Sequence, residues 1–183
     1  MGKFIRQILY FSIPAVLLVA LFFIGDPFQV VHKEGEIDLE NFGVVSDFQT
    51  TRYFLDHAEE AQFDSYIFGN SRSSAFLPRE WKKHLPAGAR VFKYGVPGEA
   101  IYNIAKKLKL IQRKGLSIRH VLIHMDNQII TNYKNLKYDL LGKEYIHHPA
   151  TSDQTYASFY GHQIKGFLYN FYFVRWLDYE LFG

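Results

Sequence analysis

The chain has 183 residues, 21 Lys and Arg against 18 Asp and Glu, a formal net charge of +3 and no cysteine. That length allows one ordinary domain plus an appendage. The missing cysteine excludes a disulfide framework, a thiol nucleophile and a thiolate metal site. The weak, scattered positive charge gives no footprint for nucleic acid.

Lys3 and Arg6 precede an apolar run from Ile8 to Ile24. Counted from Phe4, the segment approaches the roughly 20 residues that cross a bilayer, and Pro14 is tolerated inside such a helix. The stretch Phe22-Phe23-Ile24-Gly25-Asp26-Pro27 lacks the small residues of a signal-peptide cleavage site. Residues 1–25 therefore read as an uncleaved anchor. The positive residues keep the N-terminus in the cytoplasm and the body outside the membrane. Residues 26–60 read as a surface linker followed by a helix. Ser46 is its candidate N-cap and Phe48, Tyr53, Phe54 and Leu55 its buried side.

Residues 61–183 read as an α/β domain. Ser65–Phe68 is a short apolar strand with no breaker. Gly69 ends it, and Asn70, Ser71, Arg72, Ser73 and Ser74 follow. In a parallel sheet, ligands meet the carboxyl ends of the strands. A serine placed there combines an exposed hydroxyl with a backbone N–H, the elements of a nucleophile and half an oxyanion hole. The same residues are also ordinary turn and cap chemistry. Pro78 opens a short helix through about Leu85, and Arg90–Tyr94 is a second strand. After the loop Gly95-Val96-Pro97-Gly98, the spacing of Ile101, Ile104, Leu108 and Ile111 predicts a helix over Glu99–Lys114, stopped at Gly115. Lys106, Lys107, Lys109, Arg113 and Lys114 read as its solvated face. His120–Met125 is the third strand, with Asp126 and Asn127 at its end. Strand and helix thus alternate, which predicts a parallel sheet between helical layers. Ser71, Gly98, Asp126 and Asn127 should then gather along one edge, the arrangement an acyl-transfer site needs.

These motifs resemble the SGNH/GDSL hydrolase-like superfamily. Gly69-Asn70-Ser71 matches its first block, Gly98 its second, and Val121–Asn127 its third. The form Gly-Asn-Ser-Arg-Ser is similar to its membrane-anchored branch, which acylates extracellular polysaccharides and teichoic acids. The resemblance covers about Asp64 to Asn127. It implies a three-layer parallel fold after a transmembrane helix. Ser71 would be the nucleophile, the N–H groups of Ser71 and Gly98 the oxyanion hole, and Asp126 or Asn127 the third-block contributor. It also implies a surface polysaccharide and a membrane acyl-donor protein as partners, and no cofactor. Asn70 and Arg72 become substrate-side residues, Arg72 orienting the turn or binding an anion.

Three departures accompany it. Asn70 stands where the family has an acid, His124 stands where it has glycine, and no late Asp-x-x-His supplies a base. A serine without a base is a poor nucleophile at neutral pH. His147, His148 and His162 are the available imidazoles; the tandem pair before Pro149 reads as surface loop. No spacing supports a metal site. Tyr156–Gly183 is dense in aromatic residues and reads as one or two helices that need cover from more protein or from a membrane interface. The expectation is the front part of a longer domain, weak or inactive alone. The alternative is a membrane-tethered accessory or glycan-binding subunit.

Overall fold

The computed structural model describes residues 2–32, 47–96, 98–131 and 147–182. Ser46, Pro97 and most of the linker lie outside them. The chain divides into two compact units, Met1–Glu34 with Tyr160–Gly183, and Gly35–Phe159.

In the first unit, helix α1 (Gly2–Gly25) carries Pro14 in its interior and buries only Phe22. It is long and apolar enough to cross a membrane. The chain leaves it at Asp26, whose backbone is left-handed at φ 43°. The Asp26 carboxylate accepts the N–H groups of Val30, Val31 and His32 at 2.7, 2.9 and 2.6 Å, which fixes the exit turn. The aromatic tail forms two helices, α6 (Tyr156–Leu168) and α7 (Tyr172–Phe182). Phe171, at φ 53°, breaks the path between them. Phe22 packs on Phe167 with ring centres 5.6 Å apart, and Phe28 on Tyr172 at 5.3 Å. The Trp176 ring occupies the space that a Cβ on Gly25 would need, 2.1 Å from its nearest carbon. A glycine at the end of α1 is what admits the indole.

The second unit is built on a three-stranded parallel sheet in the order β2-β1-β3. The strands are β1 (Ser65–Phe68), β2 (Val91–Lys93) and β3 (His120–Ile123). Ser65 pairs with Val91 on one side and with His120 on the other. The predicted parallel pairing is therefore present, with β2 and β3 each trimmed at their ends. Helix α2 (Asp47–Ala61) buries Phe48, Phe54 and Ala58 and leaves Asp56, Glu59 and Glu60 exposed, as its apolar spacing predicts. Helix α3 (Pro78–Lys82) ends a turn earlier than Leu85. Helix α4 (Ile101–Arg113) closes with the N–H of Leu116 on the Ile111 carbonyl and that of Gly115 on Gln112, with Gly115 at φ 70°. That is a Schellman stop, and glycine fits it because its φ is positive. Helix α5 (Asn127–Thr131) follows β3.

Phe54, Tyr66, Phe68, Phe92, Tyr94, Ile104 and Ile111 form one buried cluster. Residues of α2, β1, β2 and α4 thus close a core on one face of the sheet. Strand alternation sends Ile67 and Lys93, register partners, to the other face. β3 behaves differently from a buried central strand: Val121 and Ile123 are 41% and 36% exposed.

Candidate functional site

The site begins where β1 stops. Gly69 has φ 154°, and a Cβ there would sit 2.7 Å from Ser73 Cβ and 2.9 Å from His124 Cβ. A Cβ on Gly95 would fall 2.7 Å from both the N and the O of Gly69. The first and second loops therefore touch backbone to backbone, a distance only glycine permits. A short 3₁₀ helix, Ser71–Ala75, starts immediately after.

Asn70 caps that helix and is 2% exposed. Its Oδ1 accepts the Arg72 N–H at 3.0 Å, so its Nδ2 faces the other way and donates to Asp126 Oδ2 at 2.8 Å. Arg72 Nη1 donates to the same oxygen at 2.9 Å. The other oxygen, Asp126 Oδ1, accepts the Ile129 N–H at 2.9 Å in the first turn of α5. The side-chain bond from Asn70, the Ile129 N–H and the Arg72 charge together hold the Asp126 carboxyl below its usual range. Position 70 must accept from one neighbour and donate to another. An amide does both, whereas an ionised acid would only accept. This accounts for an amide at position 70.

Of the predicted residues, the structure joins Asn70, Arg72 and Asp126 in one network. Ser71 is exposed at the head of the 3₁₀ helix. Gly98 is half-buried with φ 76°, and Asn127 is the exposed first residue of α5. Among the described residues no imidazole hydrogen-bonds to Ser71. On the opposite side of the turn, Lys93 is 2% exposed and donates to the Ser74 carbonyl at 2.9 Å; burial lowers its pKa.

Two expectations are corrected. Lys107 is not part of a solvated face; it is fully buried. Its ammonium lies 2.6 Å from Asp47 Oδ1, donates to the Glu99 carboxylate, and donates to the Tyr94 carbonyl at 2.9 Å. The signal was present in the periodicity, because 104, 107 and 111 share one stripe of a helix. The tandem histidines are not surface loop either: His147 and His148 are 2% and 3% exposed. His147 Nδ1 lies 3.1 Å from Asp47 Oδ2. The same carboxylate accepts the His148 N–H and the Thr151 hydroxyl, both at 3.1 Å. His148 Nδ1 accepts the Ala150 N–H at 3.0 Å, so the neutral ring carries its proton on Nε2. Burial pushes His148 down to about 4, against a smaller opposing pull from Asp47.

The two carboxylates that share Lys107 diverge. Burial works against ionised Asp47, but Lys107 and His147 outweigh it and hold the acid far below its ordinary range. Burial dominates at Glu99 and, with the neighbouring Asp47 charge, pushes it up to about 7 despite Lys107. Burial also opposes the Lys107 charge, yet Asp47 and Glu99 together raise its pKa.

Among the described residues no cluster of His, Asp and Glu is suited to a metal ion. Comparison with protein families, with curated proteins and with solved structures finds no match for this chain.

Proposed function

We propose that the chain is a membrane-anchored, SGNH-like domain that works outside the cytoplasmic membrane on acyl esters of cell-surface glycans. A membrane protein would supply the acyl group, and the whole would form a three-layer α/β domain. Ser71 is the nucleophile, and the N–H groups of Ser71 and Gly98 are the donors to an oxyanion. Asp126 fixes the turn, and Arg72 faces the substrate. The observation that carries the reading is the exposed Ser71 at the carboxyl end of the central parallel strand, on a turn pinned across the sheet by Asn70 and Asp126. The resembling family places an acid before the serine and an amide in the third block. Here the amide precedes the serine and the acid follows the third strand, and the two bond to each other.

A second reading is a membrane-tethered, non-catalytic subunit that binds the glycan or the acyl donor. It is favoured by the lack, among the described residues, of any imidazole bonded to Ser71. General-base help is worth on the order of a hundred- to ten-thousand-fold, so the readings separate experimentally. The full chain in detergent is assayed with p-nitrophenyl acetate, with and without added imidazole, beside a Ser71→Ala chain. The enzyme reading expects near-equal rates without imidazole and a Ser71-dependent rate with it. Equal rates under both conditions, with retained binding of an acetylated glycan, establish the second reading. Equal rates with no glycan binding remove both.

A further inference from the structure

We propose that Lys107 is the positioning residue of the Gly98 loop, one buried ammonium clamping both ends of that loop to helix α2. The inference rests on the reading that this loop helps to form the oxyanion site.

The loop leaves the sheet at Tyr94 and rejoins helix α4 after Glu99, with Gly98 just before the second end. Lys107 is eight residues beyond Glu99, two turns along α4, and donates back to both ends: the Tyr94 carbonyl at 2.9 Å and the Glu99 carboxylate. Its remaining direction goes to Asp47 at 2.6 Å, on the first turn of α2. Two of these contacts are hydrogen bonds, to Tyr94 and Glu99, and the third is an ion pair with Asp47. The ring of Tyr94 lies beneath the same nitrogen at 4.7 Å. From its outer side the loop is held differently: the Tyr94 and Gly95 N–H groups share the Ile67 carbonyl at 2.8 and 3.0 Å, and Gly95 abuts Gly69. The clamp thus fixes the loop against the turn that carries Ser71.

Hydrophobic packing alone could stop the loop from moving, and a lysine is a costly way to do only that. A buried ion cluster is commonly no more stable than apolar side chains of the same volume. What the charge adds is direction, since one ammonium fixes two hydrogen-bond acceptors and an opposite charge at once. It also makes the clamp titratable. Glu99 Oε1 has no hydrogen-bond partner among the described residues. The groups that face Glu99 are Lys107 on α4, Asp47 on α2, His147 ahead of Pro149, and Tyr94 just after β2. Opening the loop would hydrate Glu99 and return it toward its ordinary value of 4.5 from about 7. The closed loop therefore binds the proton more tightly than the open one, and opening becomes easier as pH rises between those values.

The test is hydrogen–deuterium exchange of residues 94–100 in the full chain, corrected for intrinsic exchange, with β1 as reference. In the wild-type chain the loop's opening constant should rise at least tenfold from pH 5 to pH 7.5. A Glu99→Gln chain keeps an acceptor for Lys107 but cannot titrate, and its profile should be flat. In Lys107→Met the loop should exchange at least tenfold faster while β1 stays protected. If that variant does not fold, the Glu99→Gln profile decides alone. A Glu99→Gln profile as steep as the wild type's overturns the proposal. So does a folded Lys107→Met chain with a fully protected loop. None of these readouts needs turnover, so an inert Ser71 would remove the enzyme reading and leave the clamp standing.

Discussion

Asn70 Nδ2 donates to Asp126 Oδ2 across 2.8 Å, joining residues 56 positions apart at the ends of adjacent parallel strands. The bond decides which residue types can stand at both positions. Asn70→Asp would set two carboxylates against each other and should lower the melting temperature. Adding Asp126→Asn to that chain restores one donor and one acceptor and should recover most of the loss. Thermal melts of the single and double variants check this, and a double variant no better than Asn70→Asp would refute the pairing.

The contact between the two glycine loops should be intolerant of a methyl group. A Cβ on residue 95 would lie 2.7 Å from backbone atoms of Gly69, which cannot rotate away as a side chain would. Gly95→Ala should cost about 1–3 kcal/mol, the usual range for overpacking a tight site. Gly88, whose added Cβ would meet nothing within 4 Å, has φ 89° and serves as the comparison for backbone strain without a clash. Urea unfolding of the two alanine variants separates the effects: only Gly95→Ala should also perturb the Ser71–Ala75 amides.

Asp47, fully buried, pairs with Lys107 and His147 and accepts the His148 N–H and the Thr151 hydroxyl. Asp47→Ala would leave the buried Lys107 charge with Glu99 as its one remaining carboxylate and remove an acceptor from the His148 N–H and the Thr151 hydroxyl. Removing one partner of a buried ion pair typically costs about 3–5 kcal/mol. Chemical denaturation should show a loss of that order, far larger than for Asp56→Ala on the exposed side of α2. Equal effects at the two positions would contradict the burial of the cluster.

His148 gives a stability slope in acid. Its folded-state pKa of about 4 lies below the ordinary 6.5. Between those values the unfolded chain binds the proton and the folded chain does not. Stability from this group is present above pH 6.5 and is lost as pH falls toward 4. His148→Gln should flatten the slope in that window. Glu99, pushed up rather than down, acts with the opposite sign between 4.5 and about 7, so the comparison is best made in a Glu99→Gln background. An unchanged slope there would show that the His148 ring is hydrated.

The N-terminal helix should hold the chain in the membrane. Carbonate and high salt should leave the full-length chain in the pellet, and a chain without residues 2–25 should become extractable. A cysteine introduced at Lys109, in a protein that has none of its own, should react with an impermeant thiol reagent added outside intact cells. Labelling only after lysis would reverse the orientation argued from Lys3 and Arg6.

The parts legible in the sequence were those that a local window encodes. The apolar run of α1 spans a single helix. The strand β1, the turn at Gly69 and the helical period of α4 each show within a dozen residues, and their alternation was enough to predict parallel pairing. The strand limits came out shorter because pairing, not propensity, ends a strand. Tertiary structure alone decided the rest. An apolar strand reads the same at the centre and at the edge of a sheet, so Val121 and Ile123 gave no sign of their exposure. Lys107 looked like one more basic residue on a charged helix, although its place between Ile104 and Ile111 was readable. Its burial depends on Asp47 and Glu99 arriving from other segments, and that of His147 and His148 on Asp47 waiting 100 residues earlier. A charge enters a protein interior only when a partner is already there to meet it, and no stretch of sequence states which distant residue that will be.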